Sequence, residues 1–292
     1  LVDHAVSEPG GAIGASKQGP AWIWTLIRTA HPGPSLVLTT MMVLLTLAAD
    51  LRGPRLVVLG LGVLAGELSI GWSNDLFDAE RDAAAGRRDK PLAVGAIGRR
   101  PVAVAAVVSL AVGVVLCFVV AWLTGVINVI MMAAGWAYNA RLKSTLASGL
   151  AYVVGFGAVP LLATSSNAAH PGTKPWTVLA AALLGLGGHF ANALPDLATD
   201  RATDVRGLPQ RVASAYGEQP VRVTAFVLLL AASGVVVFAS GRSPGRLSLA
   251  GFAVAVLLAL LGTRAAGRWI FRAALTVAGV DVILYALRAA GL

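Results

Sequence analysis

"SNDLFDAERDAAAGRRDKP", residues 73–91, gathers five carboxylates and four cations in one short run. The stretch before it, "LVVLGLGVLAGELSIGW" (residues 56–72), carries a single charged side chain, Glu67. A membrane helix needs roughly 20 predominantly apolar residues, so this stretch nearly spans a bilayer. The acids then begin where such a helix would leave the lipid.

The same pattern holds across the chain. Of 292 residues, 57% are hydrophobic and only 13% charged, with mean hydropathy +0.77. Soluble domains carry about 25% charged residues. The apolar residues come in long blocks, which implies an all-α integral membrane protein. Nine spans are expected, at 33–50, 56–74, 101–121, 123–140, 147–165, 176–194, 220–240, 246–263 and 269–288. The run 101–140 is too long for one span, and Gly125 marks a break within it. Residues 1–19 are rich in Gly, Ala and Ser and are expected to form a disordered tail. Residues 20–292 then form one transmembrane domain. "PAWIWTLIRTAHPGPS" (20–35) reads as an interfacial helix anchored by Trp22 and Trp24. Trp72, Trp136, Trp176 and Trp269 fall near span ends, where an aromatic belt would place them.

Charge sets the orientation. With the N-terminus in the cytoplasm, 17 of the 23 Lys and Arg fall on the cytoplasmic side. That is a positive-inside bias, and it places the two most polar connections, 74–100 and 195–219, in the cytoplasm. Net charge is +9, but the cations lie in loops between spans. No basic and aromatic residues interleave as a nucleic-acid partner would require. The lone Cys117 allows no disulfide within the chain and no cysteine-based zinc cluster. Asn128, inside a span, suits a hydrogen bond between helices.

The two polar connections are alike. The first reads Asn74-x3-Asp78-x3-Asp82, and the second Asn192-x3-Asp196-x3-Asp200-x3-Asp204. A four-residue step keeps every member on one helix face. Like charges so spaced destabilise a helix, unless a divalent cation neutralises them. Magnesium takes hard oxygen ligands and binds through a few carboxylates plus substrate phosphates. Arg and Lys in the same loops would take the remaining phosphate charge. In a membrane, a polyprenyl diphosphate fits that site: headgroup at the interface, chain among the spans. The metal would stabilise the departing diphosphate, and the resulting carbocation would need a dry, electron-rich pocket.

These motifs resemble the two aspartate-rich signatures of the UbiA superfamily of intramembrane prenyltransferases. Asn74, Asp75, Asp78 and Asp82 match the first. Asn192, Asp196, Asp200, Arg206, Leu208 and Pro209 match the second, as it stands in the quinone-making branch. "YNARLK" resembles the family's Tyr…Lys motif, giving Tyr138 and Lys143, and "KPLAVG" stands where relatives have Arg-Pro-Leu. The resemblance implies nine helices ringed around a central cavity, capped by two Asp-rich cytoplasmic loops. It implies a Mg²⁺-dependent transfer of a prenyl group to an acceptor, an aromatic ring or hydroxyl. Asn74, Asp75, Asp78, Asp82, Asn192, Asp196 and Asp200 would hold metal, with Asp75 either a direct ligand, a ligand through water, or a cap. Arg87, Arg88, Lys90, Tyr138, Lys143 and Arg206 would meet the diphosphate, although Arg87, Arg88 and Lys90 also serve topology. Arg81 and Arg201 pair with neighbouring acids on this reading.

Two departures bear on the acceptor. Relatives that prenylate 4-hydroxybenzoate tend to carry Arg seven residues before the first-motif Asn, and here Glu67 stands there. Two turns below Asn74, it should face the cavity and repel a carboxylate. Asp204 and Val205 also replace the Gly and Lys usual in menaquinone-type relatives. His189, three residues before Asn192, is expected to face the cavity, as a proton acceptor or as a bond between helices. Asp281 is costly in lipid and would pair with Arg288 or a Tyr hydroxyl, or serve the chemistry. Two other readings remain at this stage. A UbiA-type terpene cyclase would ionise the same substrate with no acceptor, with Glu67 and His189 guiding the cation. A cation transporter would need acids near the bilayer midplane, whereas most of these sit at span ends beside cationic loops.

Overall fold

The computed structural model describes residues 20–170, 172–239, 241, 243–264 and 268–289. The expected tail, 1–19, lies outside them. Regular structure among the described residues is helical: α1 (Pro20–Thr29), α2 (Pro32–Ala48), α3 (Pro54–Ala84), α4 (Arg99–Val120), α5 (Trp122–Ala140), α6 (Ser148–Ser165), α7 (Pro175–Ala193), α8 (Leu197–Ala202), α9 (Leu208–Tyr216), α10 (Glu218–Phe238), α11 (Arg246–Gly262) and α12 (Arg268–Ala289). Prolines at the starts of α2, α3 and α7 fit because the first turn has no intrahelical use for their missing N–H.

Among the described residues, five helical segments are long and apolar enough to cross a membrane: Pro54–Ala84, Arg99–Val120, Ser148–Ser165, Pro175–Ala202 and Glu218–Phe238. A sixth joins them if α1 and α2, bent by 61° at His31, are one span. The other expected spans are helical but weaker. Helix α11 has 17 residues, and α5 is diluted by Asn128, Tyr138 and Asn139. The apolar exterior is plain on α4, where Val104, Val107, Val115 and Val119 all stand exposed; in water such a face would be an aggregation hazard.

The helices close around a cavity because α12 touches both α2 and α7. Small residues set the crossing of α3 and α4. A Cβ on Gly113 would stand 2.9 Å from the Gly62 carbonyl oxygen and 3.0 Å from the Gly66 nitrogen, so α3 and α4 meet backbone to backbone. Asn128 ties α5 to the same crossing, donating to the Gly113 carbonyl at 3.3 Å and to Cys117 Sγ at 2.9 Å. The break in 101–140 falls at Ala121, not Gly125. Ala121 is extended between α4 and α5, and Gly125 instead makes room for the Phe118 ring.

Trp72 is not a belt residue. It is buried, and its indole N–H donates to the Leu26 carbonyl at 2.8 Å. That bond docks the α1–α2 corner on α3. Gly71 permits the approach, because the Ala30 carbonyl occupies the space a Cβ would need. One turn further along α3 lies Asp75, and the corner brings His31 onto it.

Candidate active site

The helices enclose a cavity of about 730 Å³, polar at one end and apolar along its depth. Helix α3 runs unbroken to Ala84, so the four-residue step holds, and Asn74, Asp78 and Asp82 all line the polar mouth. The Asn74 amide donates to Asn139 Oδ1 at 3.3 Å. Asn139 is itself fixed, donating to the Ile70 carbonyl at 2.9 Å and to Ser73 Oγ at 2.7 Å. Asp78 is buried and doubly held: Arg81 donates to Oδ2 at 2.6 Å, and Lys143 to Oδ1. Arg81 also stands 3.8 Å from Asp82.

The second row is built differently. Helix α7 stops at Ala193, a 3₁₀ turn covers Leu194–Asp196, and α8 follows. Pro195, at the start of that turn, cannot continue an α-helical ladder. Asn192, Asp196 and Asp200 nevertheless all line the same mouth. Gln210 donates to Asp200 at 2.8 Å. Asp204 leaves the row: its φ is +59°, and its carboxylate is exposed and accepts from Arg206 at 2.6 Å. Arg206 goes with it and stands outside the cavity lining, as does Arg88 in the first loop.

Electrostatics tie the two rows together across the mouth. Asp89 accepts both Nε and a terminal amine of Arg87 at 2.9 Å. That bond, reinforced by Asp196 and Asp82, raises the Arg87 pKa above its ordinary value despite partial burial. In return, Arg87 pulls the Asp89 carboxyl down to about 2. Asp200 lies within electrostatic reach of both Arg81 and Lys143. Burial lowers the Lys143 pKa, and the adjacent Asp78 restores only part of the loss.

Asp75 sits off the ridge. It is buried outside the cavity lining, and its Oδ1 receives Lys90 at 2.7 Å and His31 Nε2 at 2.8 Å. Lys90 Nζ and His31 Nε2 are 2.9 Å apart, and both residues line the cavity. Asp75 thus holds up two groups that reach the mouth. Its placement is that of a support rather than a ligand. His31 carried no functional signal in sequence; only the Pro after it marked a helix break.

His189 is likewise one layer back. It is buried, its Nε2 pairs with the Ser148 hydroxyl at 2.9 Å, and its ring lies 4.7 Å from that of Tyr152. The Leu208 N–H donates to the same hydroxyl at 2.8 Å, so His189 helps join α6, α7 and the second acid segment. Tyr152 faces the cavity with Tyr138, their ring centroids 5.1 Å apart and nearly perpendicular, and Phe156 stacks on Tyr152. Glu67 and Asp281 also line the cavity, well below the mouth.

Among the described residues no three His, Cys, Asp or Glu side chains converge as a protein-only metal cage would require. The donors that are present, carboxylates and amides in two short rows, fit a magnesium ion bound by one or two carboxylates with the remaining positions left to water and phosphate. Arg81 and Lys143 now neutralise Asp78, the charge such an ion would otherwise balance.

Comparison with known proteins agrees. The model of the UbiA prenyltransferase family matches residues 35–282. A UbiA homologue from Archaeoglobus fulgidus, bound to GPP and Mg²⁺, superposes with a TM-score of 0.69 at 12% identity, covering 92% of this chain and 100% of that one. A UbiA homologue from Aeropyrum pernix K1 gives 0.66 at 15% identity, over 93% and 99% of the two chains. A digeranylgeranylglyceryl phosphate synthase gives 0.63 at 16% identity, over 93% and 100%. None of the curated proteins searched matches the sequence. Identities this low speak to the fold alone, but the family model covers most of the sequence: the chain belongs to the UbiA prenyltransferase family.

Proposed function

We propose that the protein is a Mg²⁺-dependent membrane prenyltransferase that moves a prenyl group from an isoprenyl diphosphate to a small aromatic acceptor. The observation that carries this reading is the shared mouth, where two rows of oxygens and a set of cations crown one apolar cavity. Structures of UbiA homologues bound to GPP or DMAPP with Mg²⁺ support the substrate class.

On this reading Asn74, Asp78, Asp82, Asn192, Asp196 and Asp200 hold the metal that the diphosphate brings. The metal supplies charge stabilisation for the leaving diphosphate. Lys143, Arg81, Arg87 and Lys90 bind the remaining phosphate charge, and Lys143 and Arg81 exchange Asp78 for phosphate as they do so. The prenyl chain lies along the apolar depth. Tyr138 and Tyr152 place electron-rich rings in the wall beside the allylic cation, with His189 packed against Tyr152. Nine spans with the mouth and N-terminus in the cytoplasm accommodate the charge distribution and deliver the mouth to a water-soluble headgroup.

The support under Lys90 gives one test. Asp75→Asn keeps the shape but loses a charge-assisted bond, worth roughly 1.5–3 kcal/mol. It should raise KM for the prenyl diphosphate by about tenfold or more, with a smaller change in kcat. An unchanged KM would separate Asp75 from the headgroup. The reaction itself is tested by incubating membranes with prenyl diphosphates of several lengths, with and without a panel of phenols and quinone precursors. Acceptor-dependent release of diphosphate and a prenylated product are expected. A hydrocarbon released without any acceptor would instead identify a cyclase.

A further inference from the structure

The end of the bundle that carries the mouth has a second cationic corner, outside the cavity. The Leu194–Asp196 turn touches both α10 and α12 there. Phe226, two turns into α10, fills the space a Cβ on Gly262 would need, so the last turn of α11 closes on α10. Phe226 shares one buried cluster with Ile270 of α12 and with Leu194 and Leu197 of the second acid segment. One turn before Phe226 stands Arg222, half-buried. A terminal amine of Arg222 lies 3.5 Å from the Thr263 carbonyl oxygen, at the outer limit for a hydrogen bond. Its Nε is buried with no acceptor among the described residues. Arg264 follows Thr263 directly and is exposed. Beyond it, Trp269 opens α12 at 66% exposure, with the Arg272 guanidinium 4.8 Å from its ring centre. No acid answers these cations. Glu218, one turn before Arg222, is exposed and does not pair with it among the described residues. Helices α9 and α11 contain no acid, and the first turn of α12 has none. Neither Arg222, Arg264, Trp269 nor Arg272 lines the cavity.

A positive-inside bias accounts for exposed arginines at a span end. It does not account for one tucked between α10 and α11 with its Nε buried, because a buried cationic donor without an acceptor is costly. Basic recesses between membrane helices bind anionic headgroups. We infer that this corner is a binding site for the phosphate of an anionic phospholipid. Arg222 and Arg264 hold the phosphate oxygens from either side of Thr263, through charge-assisted bonds. The acyl chains lie along Val254, Leu257 and Leu261, which stand exposed on one face of α11 at three- and four-residue steps. Trp269 sits at headgroup level, as tryptophan does at a membrane interface. The apolar line on α11 separates the two sources of phosphate: a lipid's chains use it, and a free ion does not. A bound headgroup ties the start of α10 to the end of α11, around the cluster on which Leu194 and Leu197 pack. The site stands apart from the mouth and does not depend on the transfer reading.

The test uses the protein purified in detergent, with dioctanoylphosphatidylglycerol as the probe. Dioctanoylphosphatidylcholine and inorganic phosphate are run beside it. A ligand that binds only the folded state raises the Tm by mass action, so phosphatidylglycerol should raise it saturably and the other two should not. Arg222→Gln and Arg264→Gln should each raise the half-saturating phosphatidylglycerol concentration by about tenfold. Arg246→Gln, which removes an exposed arginine from the other end of α11, should leave it within about twofold. Should Arg222→Gln fail to fold, Arg264→Gln decides alone, since its side chain is exposed. The inference is overturned if phosphatidylglycerol gives no saturable shift, or if phosphatidylcholine or inorganic phosphate stabilises equally well. It is also overturned if either folded corner variant keeps the wild-type half-saturation, or if Arg246→Gln weakens binding as much as they do.

Discussion

Asp78→Ala and Asp196→Ala should each lower turnover of a prenyl diphosphate by about a thousandfold or more, close to 4 kcal/mol of transition-state stabilisation. Each removes one acid from one of the two rows, so each tests a different wall of the mouth. Neither should unfold the protein. Asp78 lies in α3, where alanine is a better helix former than aspartate. Its partners Arg81 and Lys143 both line the mouth, so they retain solvent and neighbouring acids. Asp196 is exposed at the end of a 3₁₀ turn, in no ion pair among the described residues. Detergent-solubilised variants should elute as the wild-type protein does and melt within a few degrees of it. A variant retaining a tenth of the activity or more would remove that row from the chemistry.

Metal removal is expected to have an effect as large and to leave the fold untouched. Excess EDTA should abolish turnover, and Mg²⁺ added beyond the chelator should restore it. The Tm should be the same with and without EDTA in the absence of substrate. The reason lies in the donor set. Among the described residues no three acidic, His or Cys side chains converge, and Asp78 already has its charge balanced by Arg81 and Lys143. The fold therefore needs no ion, and the ion acquires its place only with the phosphates that complete its shell. Turnover that persists in chelator would contradict the assignment. A Tm that falls in chelator would mean a structural metal.

The first acid row was readable from spacing because α3 is continuous through it. One helix face is one line of side chains, and Asn74, Asp78 and Asp82 all reach the cavity. The second row has the same spacing, but Pro195 breaks its helix, so its convergence depends on tertiary folding that the four-residue step does not encode. Asp204, which spacing alone would keep in the row, leaves it because α8 ends at Ala202 and Asp204 takes a left-handed turn. Contacts across long stretches of chain were not legible. His31 meets Asp75 only because Gly71 lets the α1–α2 corner in, and Gln210 meets Asp200 only because α9 folds back over α8. The cavity-facing position of Glu67 followed from the helical period. That of His189 did not hold, since a period fixes a direction around the helix and not the depth of the next layer, here the Tyr152 ring. Trp72 failed as a belt marker for a related reason: it lies near a span end, yet its indole is used to dock a corner.

The central claim is that both rows grip one magnesium–diphosphate unit. Calorimetric titration of a non-ionisable prenyl S-thiolodiphosphate into the wild-type protein, Asp78→Ala and Asp196→Ala, each with and without Mg²⁺, addresses it most directly. The account predicts Mg²⁺-dependent binding to the wild type and its loss in both variants. Equal binding without the ion, or wild-type affinity in either variant, would contradict it.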